Sequence, residues 1–220
     1  MEWPILADLS PSERLEVLRL CSRRRTARGE FVCREGDRGD RLFMVESGHA
    51  LVEAVTREGN VSTFAVIGPG DVFGEQALVS GTDRRGASVV SIEPLDLLYM
   101  TRPEFEKLSV THPAVNKFLL TIMAGRLRDV TAQLLEALYG SAEQRVFLSL
   151  QRLARAYGPR DRIPLHQGQI ASLAGTTRPT ANRILVETAQ AGAIQLGRGY
   201  LVIIDIEILN RLASDAGANQ

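Results

Sequence analysis

The sequence predicts an α+β chain: an N-terminal β-roll of the jelly-roll type, then one long helix, then a C-terminal winged helix-turn-helix. Three observations predict it. From Arg23 to Met100 short apolar pieces are broken by turn residues about every 8–12 residues, the rhythm of an all-β roll or barrel. From Pro113 to Gly140 no such break occurs. From Gln167 onward the chain reads as helix, glycine turn, helix and hairpin.

The elements follow in order. Ser10-Pro11-Ser12-Glu13 is a helix start, with a serine cap, proline at the first helical position and glutamate three residues after the cap. That helix should run to about Cys21. Strand-like pieces such as Leu42–Val45 and Phe64–Ile67 follow. They are separated by Arg28-Gly29, Glu35-Gly36-Asp37, Ser47-Gly48, Glu58-Gly59-Asn60 and Gly68-Pro69-Gly70-Asp71. Thr101-Arg102-Pro103-Glu104 is a second capping box. The long helix then spans roughly 37 Å at 1.5 Å per residue. Along it Leu120, Met123, Leu127, Val130, Leu134 and Ala137 recur at spacings of 3, 4, 3, 4 and 3, a coiled-coil seam. A second set, Val115, Phe118, Leu119 and Ile122, lies partly on another face. One side can pack on the β-domain and the other on a partner helix, although an ordinary intramolecular core helix would read similarly. Ser141–Gln144 opens a further helix to about Tyr157, and Pro159–Pro164 is a charged break. We therefore divide the chain into residues 1–112, 113–139 and 140–220.

Bulk composition narrows the classes. The chain has 220 residues with 26 acidic and 26 basic side chains, so net charge says nothing about partners. Only Cys21 and Cys33 are present, without CxxC spacing, which fits a reducing compartment and packed or inert thiols. The start, MEWPILADLS, has no basic stretch before an apolar run, and no apolar run is long enough to span a bilayer. No signal peptide, no membrane partner and a cytoplasmic location are expected. His49, His112 and His166 lie apart and should be surface or capping residues, so a bound metal is not expected. GxSxG, Walker and GxGxxG motifs are absent, and an enzyme is not expected.

Two constellations carry chemistry. In the first, Phe73-Gly74-Glu75-Gln76-Ala77 precedes Arg84-Arg85-Gly86-Ala87 across a glycine-rich loop. Backbone N–H groups at Gly74, Gln76 and Ala77 can form an anion-binding nest, and Arg85 offers a fork for a phosphate. Glu75 can accept from a ribose hydroxyl and balance Arg85. A Glu75–Arg85 ion pair closing a β-loop would have the same sequence. In the second, Ala181, Ile184, Leu185 and Thr188 form an apolar helix face, opposite Arg178, Pro179, Asn182 and Arg183. Gly175 permits the preceding turn and Thr177 caps the helix. Arginine can read guanine and asparagine adenine in the major groove. Thr177, Thr180 and Arg198, the last at the tip of a wing of Ala193–Leu196 and Tyr200–Ile204, are candidate phosphate contacts, and Gln169 is a further candidate DNA-binding residue. A merely solvated polar face is the alternative.

The run Phe73–Leu78 followed by Arg85-Gly86-Ala87-Ser88-Val89 resembles the phosphate-binding cassette of cyclic-nucleotide-binding domains. With the long helix and the winged helix-turn-helix, residues 5–212 resemble the Crp/Fnr (catabolite activator protein) family of transcription regulators. The resemblance implies a homodimer through residues 113–139, a palindromic double-stranded DNA operator, RNA polymerase as a further partner and a small effector in the β-roll. It assigns Gly74 and Glu75 to ribose, Arg85 to phosphate, and Arg178 and Arg183 to DNA. Gly86 stands where cyclic-AMP activators offer a hydroxyl, and Val130-Thr131 where they carry Thr-Ser facing adenine. Losing one such hydroxyl costs ~1 kcal/mol or more. Cyclic AMP, cyclic GMP, cyclic di-GMP or no ligand at all are the effector readings. Pro179 replaces a glutamate that reads cytosine, so the operator should differ from the usual consensus. Two cysteines cannot supply the four-thiolate cluster of the oxygen-sensing branch. A nucleotide-binding module that docks a protein instead of DNA is the reading from another class.

Overall fold

The computed structural model describes residues 3, 6, 9–56, 58, 59, 61–79, 83–158 and 160–218. The turn residue Asn60 and the break residue Pro159 lie outside them. Contacts divide the chain into two compact units, Met1–Ala54 with Ile67–Asp129, and Val55–Val66 with Val130–Gln220.

In the first unit, α1 (Pro11–Leu20) begins as its sequence predicts: the Ser10 backbone N–H donates to Glu13 at 2.8 Å and the Ser10 hydroxyl accepts from Glu13 N–H at 3.4 Å. The strands are β1 (Ser22–Thr26), β2 (Phe31–Cys33), β3 (Arg41–Ser47), β4 (Ala50–Val55), β5 (Val61–Ile67), β6 (Val72–Phe73), β7 (Ser88–Ser91) and β8 (Leu95–Thr101), with a short α2 (Glu75–Val79) after β6. They form two four-stranded sheets, in the orders β1-β8-β3-β6 and β2-β7-β4-β5. The pairs β1–β8, β3–β8, β3–β6, β2–β7 and β4–β7 are antiparallel. Gly29, Gly36, Gly48, Gly59 and Gly70 all have φ between 80° and 95°, so the breaks in the apolar rhythm are turns that need glycine.

Alternation along β3 explains the layering. Leu42 and Met44 join a core with Val17, Phe105 and Leu108, while Phe43 and Val45 join a second core with Phe73, Val89 and Leu97. The first core is covered by α1, by α3 (Arg102–Thr111) and by the start of α4 (Pro113–Tyr139). The two faces of α4 separate as the spacing predicts. Val115 and Leu119 are buried, whereas Leu120, Leu127, Val130 and Leu134 are 56–70 % exposed.

In the second unit, α5 (Ala142–Ala156) buries Val146, Phe147, Leu150 and Leu153, one stripe at helical spacing. The helix-turn-helix is α6 (Gln167–Leu173) and α7 (Arg178–Gln190). The wing is a three-stranded sheet in the order β10-β11-β9, from β9 (Arg162–Ile163), β10 (Ile194–Gly197) and β11 (Tyr200–Ile203). Strand β9 and the final helix α8 (Ile206–Ala218) were not part of the sequence expectation. Two residues are too few for a periodic signal, and α8 packs on α5 through Leu209 and Ala213. Among the described residues no helix is long and apolar enough to cross a membrane.

Candidate functional site

The turn Gly68–Asp71 feeds β6, which pairs with β3 at Phe43 and Met44. The chain then bends at Gly74 (φ +89°) into α2, whose first residue is Glu75. A side chain at Gly74 would meet the Arg41 carbonyl at 2.7 Å and the Arg85 guanidinium, so only glycine fits. Glu75 is 0 % exposed and Arg85 6 %. Two buried charges around one turn need partners, because desolvating them alone is costly.

Their partners differ from the sequence expectation. Glu75 does not balance Arg85. Its Oε1 accepts from Arg126 of α4, which also donates to the Val72 carbonyl at 2.6 Å. Arg85 donates to the carbonyls of Gly74 at 3.2 Å and Arg41 at 2.8 Å, and lies over the Phe43 ring. Those carbonyls hold its fork, so Glu75 is left for the helix arginine. Arg126 was missed by sequence reasoning, yet it carried a signal. Val115, Leu119, Ile122 and Arg126 are spaced 4, 3 and 4, so Arg126 is a charge on the stripe of α4 that faces the core.

Glu75 Oε2 and Arg85 Nε are buried with no hydrogen-bond partner among the described residues. A native core satisfies nearly all such atoms, so the two are unusual here, as are Thr26 Oγ1 and Arg41 Nε, which are also buried without a hydrogen bond among the described residues. Backbone bonds anchor Arg85: its N–H donates to the Asp37 carbonyl and Gly36 N–H donates to the Arg85 carbonyl, both at 2.9 Å. Arg84 is exposed and donates to the Gly36 carbonyl at 2.9 Å. Gln76 and Gly86 are exposed and face each other, with 3.4 Å between Gln76 Oε1 and a side chain placed at Gly86. Ala87 is half-buried, Phe73 stacks on Phe43 at 4.9 Å as core, and the side chain of Ala77 lies outside the described residues. Val130 and Thr131 fall in the second unit, exposed on α4.

His49 is a correction. It is not a surface residue but 8 % exposed, with Nδ1 2.5 Å from Glu93, because Gly68 packs directly against its ring. Burial pushes the Cys21 thiol up to about 12 and raises that of Cys33.

In the second unit α7 buries Ala181, Ile184, Leu185 and Thr188 and leaves Arg178, Pro179 and Arg183 exposed, with Thr180 and Asn182 half-buried. Thr177 caps α7 by accepting from Thr180 N–H at 3.3 Å, and the two hydroxyls bond at 2.8 Å. Arg183 pairs with Glu187 one turn on at 3.0 Å. Gln169 is engaged in a capping box with His166, at 3.0 and 3.2 Å, so its side chain stabilises α6. The α6–α7 turn is held by Arg145 of α5, which donates to the carbonyls of Ala174 at 2.9 Å, Gly175 at 3.2 Å and Gly140 at 2.6 Å. Arg198 is exposed at the hairpin tip. A cleft of about 240 Å³ opens between the start of α7 and the wing, lined by His166, Gln167, Arg178, Arg198 and Tyr200 among others. Arg162 stacks on Tyr200 with its guanidinium 4.7 Å from the ring centroid, bracing that wall. Exposed arginines along a helix start and a hairpin suit the phosphates and base edges of a duplex.

Comparison with known proteins assigns a domain family to each of the two regions. Residues 23–112 match the model of the cyclic nucleotide-binding domain, and residues 144–212 match the Crp-like helix-turn-helix domain. A "Cyclic AMP receptor protein" of Thermus thermophilus is 32 % identical over 211 residues, covering 96 % of each chain. The chain belongs to the Crp/Fnr family of transcription regulators. A "CRP-like cAMP-activated global transcriptional regulator" of Mycobacterium tuberculosis is 30 % identical over 84 % of this chain and 85 % of its own. The crystal structure of Thermus thermophilus Catabolite Activator Protein aligns over 97 % of this chain and 99 % of its own, at 30 % identity and a TM-score of 0.57. FixK2 of Bradyrhizobium japonicum, at 20 % identity and a TM-score of 0.77, shares the fold. Crp/Fnr members are transcription regulators rather than enzymes, so this chain is a DNA-binding regulator with a cyclic-nucleotide-binding-type sensor domain. The family is dimeric.

Proposed function

We propose that the chain works as a homodimer whose β-roll binds a cyclic nucleotide, cyclic AMP first, and thereby sets how two winged heads sit on a palindromic operator. The observation that carries this is the pair of buried charges flanking Gly74, each with an unsatisfied polar atom. Arg85 would hold the cyclic phosphate, together with N–H groups at the start of α2. Glu75 Oε2 would accept from the ribose hydroxyl. Both named relatives carry cyclic AMP in their names, which supports that nucleotide over cyclic di-GMP.

Arg126 gives the pocket a route to the dimer helix. It holds Glu75 Oε1 from α4, so a ribose on Oε2 joins an ion pair that already ends on that helix. The exposed stripe from Leu120 through Leu134 supports pairing of α4 with a second copy. Val130 and Thr131 lie along that stripe and would meet the purine. In the head, Arg178, Asn182 and Arg183 would read base edges. Thr177, Thr180 and Arg198 would meet phosphates, in successive major grooves ~34 Å apart. RNA polymerase would be the machinery such a head recruits or blocks.

Isothermal titration with cyclic AMP, cyclic GMP and cyclic di-GMP tests the effector. Heat with cyclic AMP that disappears in Arg85→Ala is expected; silence with cyclic AMP and cyclic GMP sinks the reading.

A further inference from the structure

Strand β5 belongs by sequence to the cyclic-nucleotide-binding match, yet residues 55–66 pack with the second unit. One side chain explains much of that. Ser172, on α6, donates its hydroxyl to the Val61 carbonyl at 2.9 Å and accepts from Thr63 N–H and the Thr63 hydroxyl, both at 3.0 Å. A serine hydroxyl has one donor and two acceptor sites, so all three are used. Val61 and Thr63 are two residues apart, and alternate residues of a strand aim their peptide groups at the same edge. Strand β5 ends its sheet order, so that edge has no strand neighbour among the described residues. Ser172 stands in for one. Thr63 is 5 % exposed, so its two bonds to Ser172 are partly shielded from water, while the bond to Val61 is exposed. Gln133 of α4 adds a bond to the Phe64 carbonyl at 3.3 Å. Beyond Ile67 the chain runs through the Gly68–Asp71 turn to Gly74 and Glu75 within eight residues.

We propose that Ser172 is a positioning residue that fastens the helix-turn-helix to β5, so that displacement of the Gly74–Glu75 segment by ligand is passed along β5 to the reading head. The proposal rests on the reading above that a nucleotide at that segment controls DNA binding. The latch restrains the head. Without it, DNA affinity becomes less dependent on the ligand.

The test uses the full chain and a duplex that the wild type selects from a random pool. The ratio of duplex affinity with and without cyclic AMP is measured for wild type, Ser172→Ala, Ser172→Thr and Thr63→Val. Loss of these bonds should shrink the ratio in Ser172→Ala by roughly three- to tenfold. Ser172→Thr, which keeps the hydroxyl, should restore it, and Thr63→Val should fall between. An unchanged ratio in Ser172→Ala, or equal loss in Ser172→Thr, overturns the latch. Should the wild type ignore cyclic AMP, the nucleotide reading fails and amide exchange decides the latch alone. Thr63 N–H should exchange slowly in wild type, fast in Ser172→Ala, and at a changed rate on the duplex. Equal exchange in the two proteins, or no change on the duplex, overturns it.

Discussion

Glu75 and Arg85 are 0 % and 6 % exposed in the β-roll, whereas Arg178, Arg183 and Arg198 stand exposed in the winged head. On the function proposed above, the difference follows from what each surface would recognise. A small anion brings few contacts, so each must be strong, which requires charges held in place and removed from water before the ligand arrives. A duplex brings a charge every few ångströms. Many weak, exposed, salt-sensitive contacts then suffice, and side chains left in water stay free to follow the groove. The two regions should therefore fail differently when altered.

The largest effect is expected between them, on α4. Leu127→Glu with Leu134→Glu places charges on the exposed stripe and should convert a dimer to a monomer by sedimentation, with specific duplex binding lost. A monomeric wild type would remove the basis for paired heads. Next comes Gly74→Ala. A side chain at φ +89° against Arg85 and the Arg41 carbonyl should cost roughly 2–4 kcal/mol of stability and abolish nucleotide heat. Thermal unfolding reads the first effect and titration the second. In the head, Arg178→Ala should cost about 1–3 kcal/mol of sequence-specific affinity without altering unfolding. Arg198→Ala should instead weaken all duplexes alike and lower the salt slope by about one. Identical salt slopes for the two variants would merge their roles. Smaller still, Glu187→Gln should release Arg183 from its ion pair and raise duplex affinity a few-fold, since an exposed pair is worth roughly 0.2–1 kcal/mol.

The smallest effect concerns the thiols. Cys21 is pushed from 9.0 up to about 12 by burial. Its folded value lies above the unfolded one, so its burial contributes stability that is fully present below about pH 9. That contribution is lost as pH rises towards 12. At neutral pH almost no thiolate exists, so iodoacetamide should leave Cys21 and Cys33 unmodified until the chain unfolds. Rapid labelling of the folded protein at pH 7 would contradict this.

Much of the architecture was legible because periodicity and capping are local. The caps at Ser10, Thr101 and Ser141, the two stripes of α4 and the glycine turns each depend on residues a few positions apart. The cassette was legible for the same reason, as was the apolar and polar division of α7. Strand β9 was not, because two residues carry no period and it exists only through pairing with β11. Gln169 read as an exposed polar side chain facing DNA, and its reciprocal capping bond with His166 was not read from the sequence.

The linear order of residues by itself determined which segments form strands and helices, where they turn, and which residue types crowd the two sites. Tertiary structure alone decided who pairs with whom. Glu75 could have closed on Arg85 ten residues away along the loop, yet it meets Arg126, 51 residues on. Ser172 finds Thr63 across 109 residues. Periodicity is set by backbone geometry within a few residues, whereas a buried charge or hydroxyl takes whatever partner packing brings to it, and that partner can come from anywhere in the chain.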